Sequence, residues 1–120
     1  MTAPCFHAES SARIFGGSPE DYIDIHNWFD ETKTCMGDFR HRALRHHTFG
    51  IADCVKVFGD FITNSAGKKV AVRYIAEQHV IEDCGGRIPS VEDWLKGIPA
   101  QMWMAKATPT ILKHGTREIR

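Results

Sequence analysis

Apolar and polar positions follow a helical period through most of the chain. Ser18-Pro19-Glu20-Asp21 is a helix start: a serine cap, proline at the first helical position, then acids near the positive end of the dipole. The helix that follows places Tyr22, Ile25, Phe29, Thr32 and Met36 on one face, with His26 and Trp28 flanking it, and should stop at Gly37. Asp38 is placed to cap a second helix running through Phe39, Leu44, Thr48, Ile51, Val55 and Phe58 to Gly59. Such a helix would be about 30 Å long and the spine of the domain. Gly50 in its middle costs roughly 1 kcal/mol relative to alanine, so either another backbone approaches closely there or the helix breaks.

After Gly59 the period changes. Phe61-Ile62-Thr63, the turn Asn64-Ser65-Ala66-Gly67 and Lys68 to Val72 read as a short hairpin that must lean on the helices. A third helix begins near Val72 or Arg73, puts Ile75, Ala76, His79, Val80 and Asp83 on one side, and ends at Cys84-Gly85-Gly86. Ser90 caps a short fourth helix bearing Val91, Trp94, Leu95 and Ile98, with Asp93 where a capping-box acid stands. Met102, Trp103 and Met104 are dense in large apolar groups and call for burial against the bundle or against a second copy of the chain. The expected fold is mainly α, a small three- or four-helix bundle with a short β-hairpin. Residues 1–17 have no sustained period and read as an N-terminal arm, residues 18–107 as a single helical domain, and residues 108–120 as a polar C-terminal tail.

Composition narrows the function classes without choosing one. The chain has 120 residues, room for one ordinary core. Fifteen Lys+Arg balance fifteen Asp+Glu, so no global field draws the chain to nucleic acid or to an anionic membrane. No apolar run nears the roughly 18 residues of a membrane span, and the start lacks a signal-peptide pattern, which together imply a cytoplasmic protein. Cys5, Cys35, Cys54 and Cys84 include no CxxC pair and suggest neither a zinc ribbon nor a disulfide framework.

Seven histidines carry the chemistry. His26, His47 and His79 fall on the inward faces of three predicted helices, and a buried imidazole needs partners for its ring nitrogens. His47 aligns with Ile51, Cys54 and Phe58; His79 aligns with Ile75, Glu82 and Asp83; His26 aligns with Tyr22, Phe29 and Asp30. His41 and His46 sit off that stripe, although a modest change of helix phase exchanges His46 with His47. Facing helices that present imidazoles and carboxylates match what a metal in a bundle requires. The candidate ligands are His47 and His79, with His26 or His46 and an acid from Asp83 or Asp30. Zinc or iron would suit that set. A closed shell would be structural, and an open position would permit metal-activated water. The competing reading is a metal-free, hydrogen-bonded histidine core in a non-catalytic interaction protein. Glu77 lies two residues from His79 and points elsewhere on an ideal helix.

Arg40, Arg42 and Arg45 form a basic stretch with His41, His46 and His47. Phosphate recognition on a nucleic acid is its functional reading; a solvated helix face is the plainer one, and zero net charge favours it. No phosphate loop, GxSxG elbow or HExxH is present, and Cys54 stands about 10 Å along the helix from His47, too far for a nucleophile and its base. No catalytic residue is assignable from sequence.

His46-His47-Thr48-Phe49-Gly50-Ile51, Val57-Phe58-Gly59, Asn64 to Gly67, Arg73 to Asp83, and Ile88-Pro89-Ser90 to Trp94-Leu95 together resemble a family of small bacterial and phage proteins of unknown function. The resemblance covers roughly residues 20 to 100. It implies a bacterial or phage-encoded origin and no particular activity, and it favours His46, His47, His79 and Asp83 over His7 and His114.

Overall fold

Helix α4, Val72–Asp83, is the element against which helices α1 (Pro4–Phe15), α2 (Ile23–Asp30) and α3 (Thr48–Phe58) all pack. It emerges directly from a two-stranded antiparallel hairpin, β1 (Phe61–Thr63) and β2 (Lys69–Ala71), in which Ile62 faces Val70. A short α5, Val91–Leu95, follows. This is a computed structural model, and it describes residues 3–106. The fold is mainly α with one small hairpin, as the periodicity predicts. Among the described residues no helix is long and apolar enough to cross a membrane.

The apolar core joins Ala8 of α1, Tyr22, Ile25 and Phe29 around α2, Ile51 and Cys54 of α3, Val70 of β2, and Val72, Ile75, Ala76 and Val80 of α4. Helix α4 also buries Gln78, His79 and Asp83, so its buried surface is part hydrocarbon and part polar. Asn64 ties the hairpin to this core. Its side-chain amide donates to the Phe15 carbonyl and the Tyr22 hydroxyl, while its oxygen accepts from Ala66 and Lys68 N–H.

Three expectations are corrected. Residues 1–17 are not an irregular arm: Pro4 opens α1, and Gly16 ends it with φ at +86°. The buried arc of α1 is His7, Ala8 and Ser11, while Phe6 and Ile14 face outward. An inward face built from small and polar residues leaves no apolar period to detect. The segment after Ser18 is not one continuous helix. It is a 3-10 turn (Pro19–Asp21), then α2, then a second 3-10 turn (Glu31–Thr34), with Tyr22, Ile25, Phe29 and Thr32 inward but Met36 exposed.

No spine helix runs from Asp38 to Gly59. A 3-10 segment over Phe39–Leu44 ends at Arg45, the chain turns through Arg45–His47, and α3 starts at Thr48. Asp38 does cap the 3-10 segment, accepting from Arg40 N–H at 2.9 Å. Both alternatives posed by Gly50 hold. The helix breaks just ahead of it, and a Cβ built on Gly50 would overlap the Arg45 carbonyl oxygen.

Helix α5 starts as expected, with Ser90 Oγ accepting from Asp93 N–H and Asp93 accepting from Ser90 N–H. Met102, Trp103 and Met104 are exposed on a 3-10 turn and are not buried against the bundle. The expected polar tail, residues 108–120, lies outside the described residues.

Candidate metal centre

Two helices present the same device on their buried sides. On α2, His26 and Asp30 are one turn apart; on α4, His79 and Asp83 are one turn apart. The turn ahead of α3 inserts His46 between them, and α1 adds His7. The four imidazoles are fully buried, and Asp30 and Asp83 are buried with them.

Within this cluster Asp30, His46, His79 and Asp83 bring four potential ligand atoms within 4.8 Å of one another. Nε2 of His79 is 3.2 Å from Asp83 Oδ2 and 3.5 Å from Asp30 Oδ1; Nε2 of His46 is 3.0 Å and 3.9 Å from the same two oxygens. Both Asp30 oxygens and Nε2 of His79 are buried without a hydrogen-bond partner. Buried carboxylate oxygens are rarely left so, because each carries the full desolvation penalty.

Both ring nitrogens of His26 and of His7 have partners around these four, while Nδ1 of His46 and Nε of Arg42 are buried without one. Nδ1 of His79 meets Nδ1 of His26 at 2.9 Å, and Nε2 of His26 meets Ser11 Oγ at 2.7 Å. Ser11 in turn donates to Gln78 Oε1. His7 lies between two carboxylates, Glu82 Oε1 at 2.7 Å and Asp83 Oδ1 at 3.2 Å. Burial alone would lower its pKa, but the hydrogen bonds to Asp83 and Glu82 outweigh burial and raise it. Burial likewise works against the Asp83 carboxylate, yet the contacts from His46, His7 and His79 hold it well below the usual range. Arg42 adds a hydrogen bond to the Asp83 carbonyl at 2.8 Å.

Of the residues singled out from sequence, His26, His46, His79 and Asp83 meet in this cluster, and His47 does not. His47 is the cap of α3. Its Nδ1 accepts from Gly50 N–H at 2.9 Å and its Nε2 donates to the Ala43 carbonyl at 3.1 Å, so both nitrogens are occupied. The break of the helix reverses the phase of the neighbouring pair and sends His46 inward. His41, expected off the stripe, is also buried, with Nδ1 against Thr32 Oγ1. The arginines are engaged within the chain. Arg40 pairs with Asp38, Arg42 holds Asp83, and Arg45 binds Glu31 and the Trp28 carbonyl while stacking on Trp28. Glu77 pairs with Arg73 on the surface.

Sequence reasoning missed His7 and gave Asp30 only a secondary place. A usable signal was present in the repeated spacing His26-x-x-x-Asp30 and His79-x-x-x-Asp83. His7 had only its i,i+4 relation to Ser11 on a helix without a hydrophobic face.

A pH dependence follows from the buried rings. Burial, helped by the neighbouring imidazoles, lowers His26 from 6.5 to about 2; burial lowers His46 to about 4. The unfolded chain therefore binds more protons than the folded one between these values and 6.5, and stability falls as pH drops through that window. Each ring can contribute up to about 1.4 kcal/mol per pH unit. His7 acts in the opposite sense: its contribution is fully present below 6.5 and lost as pH rises through its raised value. With two strongly lowered rings against one raised, denaturant midpoints are expected to fall steadily from about pH 6.5 to about pH 4.5. A flat or rising profile would contradict neutral buried rings.

No curated protein and no solved structure matches the chain. The domain of unknown function DUF6915 matches residues 2–104, the greater part of the sequence, and the protein belongs to that family.

Proposed function

We propose that this protein binds one divalent transition-metal ion through Asp30, His46, His79 and Asp83, and that the ion locks α2, the turn before α3 and α4 together. The observation that carries the reading is the spacing of the four ligand atoms. At metal-ligand distances of about 2.0–2.1 Å, the edges of a tetrahedral shell are about 3.3 Å. The four nitrogen-oxygen separations run from 3.0 to 3.9 Å around that value. Two neutral imidazoles and two carboxylates also cancel a double positive charge.

On the His79 side the surrounding hydrogen bonds fit the same assignment, whereas Nδ1 of His46 has no partner. A metal-binding Nε2 on His79 requires its proton on Nδ1, which donates to Nδ1 of His26; His26 then donates from Nε2 to Ser11. Ser11 passes the chain to Gln78. Every step has one donor and one acceptor. His7 plays the complementary part by donating to Asp83 Oδ1 and leaving Oδ2 for the ion.

Zinc and iron both suit the donor set, and full burial of the ligands favours a structural over a hydrolytic role. The bacterial or phage origin and cytoplasmic setting that the sequence implies would supply either ion under reducing conditions. The rival reading places a proton on Nε2 of His79 instead of an ion, since its 3.2 Å approach to Asp83 is also within hydrogen-bonding range. Its partner would be a second copy docking on Met102 and Trp103, which are exposed.

Elemental analysis of untagged protein purified without chelator separates the two. Near one zinc or iron per chain is expected, with chelation lowering the melting temperature by on the order of 10 °C and the same metal restoring it. Metal content near zero, together with a melting temperature indifferent to added Zn²⁺ and Fe²⁺, would leave the metal-free core.

A further inference from the structure

Beside the tetrad the buried cluster holds a second set of candidate ligands: His7, His26 and His79 each bring a ring nitrogen within 4.8 Å of the others. They come from α1, α2 and α4, and all three rings are fully buried. His79 is common to both sets. Its Nε2 faces Asp30 and Asp83, and its Nδ1 faces Nδ1 of His26 at 2.9 Å.

The other two rings are held from their far sides. Nδ1 of His7 meets Glu82 Oε1 at 2.7 Å, and Nε2 of His26 meets Ser11 Oγ at 2.7 Å. Glu82 is anchored in turn by Ser10 and Gln78. A carboxylate or hydroxyl on one imidazole nitrogen fixes the ring and aims the other nitrogen at an ion, which is how metal-binding histidines are normally supported. The inner nitrogens left to ligate are Nδ1 of His26, Nδ1 of His79, and Nε2 of His7, whose present partner is Asp83 Oδ1 at 3.2 Å.

Proton and charge balance permit an ion there. With the first ion on Nε2 of His79, Nδ1 of that ring carries a proton donated to His26, and His7 donates from both nitrogens because its two partners are carboxylates. A divalent ion that displaces the Nδ1 proton of His79 and the Nε2 proton of His7 brings two charges and releases two protons to solvent. The net charge of the buried cluster is unchanged, so no uncompensated charge is buried. A cation already on Nε2 also makes the Nδ1 proton of the same ring easier to displace. The edge of a tetrahedral shell is about 3.3 Å, so the His26–His79 pair has only about 0.4 Å to open.

We propose that the protein holds a second divalent transition-metal ion between His7, His26 and His79, with the imidazolate of His79 bridging it to the ion of the tetrad. The proposal rests on the metal reading, since the bridge needs the first ion on Nε2 of His79. Because it displaces two protons, the second ion is the weaker and fills only when metal is in excess.

Titration of the metal-free full chain with Cu²⁺, followed by desalting, elemental analysis and low-temperature electron paramagnetic resonance, tests the bridge. Copper suits both ligand sets, so the resonance should grow to about one ion per chain. It should then shrink as a second ion binds, because two Cu²⁺ spins joined through one imidazolate couple antiferromagnetically. With two ions per chain most of the signal should be gone. His26→Gln and His7→Gln each remove a ligand of the second ion alone, and each should stop at one fully visible ion. The wild-type signal decides even if neither variant folds. One ion per chain at saturation, or two with no loss of signal, overturns the bridged pair and leaves the ion of the tetrad standing. A loss of signal that persists in folded His26→Gln overturns it equally, and a chain that retains no copper loses both sites.

Discussion

Asp83→Ala is expected to destabilise the protein by about 3–5 kcal/mol, the magnitude seen when one member of a buried ion pair is removed. Asp83 is the hub of the buried cluster. Oδ1 accepts from His7 and lies 3.8 Å from the Arg42 guanidinium, while Oδ2 meets both His46 and His79. Alanine leaves His7 with a single carboxylate partner, Glu82, and leaves His46 and His79 facing a void. Such a loss is a large part of the 5–15 kcal/mol that holds an ordinary domain together and should lower the melting temperature on the order of 10–25 °C. Under the proposed assignment metal content should fall with it, from near one per chain to under about a tenth, because Asp83 would supply one of the two ligand charges. Arg73→Ala is the matched control. It breaks the exposed pair with Glu77 and should change stability by under about 1 kcal/mol. An Asp83→Ala protein within about 1 kcal/mol of wild type and with unchanged metal would remove the cluster from any central role.

Gly50→Ala should have the opposite sign from the usual helix substitution. Replacing glycine by alanine inside a helix normally gains up to about 1 kcal/mol. Here the new Cβ would overlap the Arg45 carbonyl oxygen and lie 2.6 Å from its carbon and 2.9 Å from its Cα. These are backbone atoms, and Arg45 cannot retreat freely. Its guanidinium binds the Trp28 carbonyl and Glu31 and lies 4.0 Å over the Trp28 ring. The next residue is His46, so any shift that relieves the overlap pulls Nε2 of His46 from Asp83 and disturbs the His47 cap on Gly50. A loss of about 3 kcal/mol or more is expected, with metal affinity falling in parallel. A stable, metal-replete Gly50→Ala protein would show that the corner is softer than its packing implies.

Gly50 also marks the limit of what periodicity could tell. A glycine where a helix should run gave notice of an approach or a break, but not of which neighbour approaches. Helix α4 was legible nearly residue by residue, because a hairpin precedes it and Cys84-Gly85-Gly86 ends it. Helix α1 was not, since its inward surface is His7, Ala8 and Ser11 and its large apolar residues Phe6 and Ile14 face solvent. The same asymmetry runs through the site. His79 and Asp83 share a regular helix, so their spacing fixed their common direction. His46 and His47 stand at a corner, where adjacent side chains diverge by an angle that no helical phase supplies. The corner is a tertiary product: it depends on Trp28 receiving Arg45, and Trp28 is far away in the chain.

The four cysteines are free, so no covalent tie joins distant parts of the chain. An ion shared by Asp30 and Asp83 would close a loop spanning the whole middle of the sequence, with His46 and His79 as further anchor points along it. A covalent crosslink closing a loop of that length removes about 4 kcal/mol of unfolded-chain entropy. Holding an ion, the buried tetrad would serve as a reversible staple, one that withholding metal would open and that reducing conditions would leave untouched.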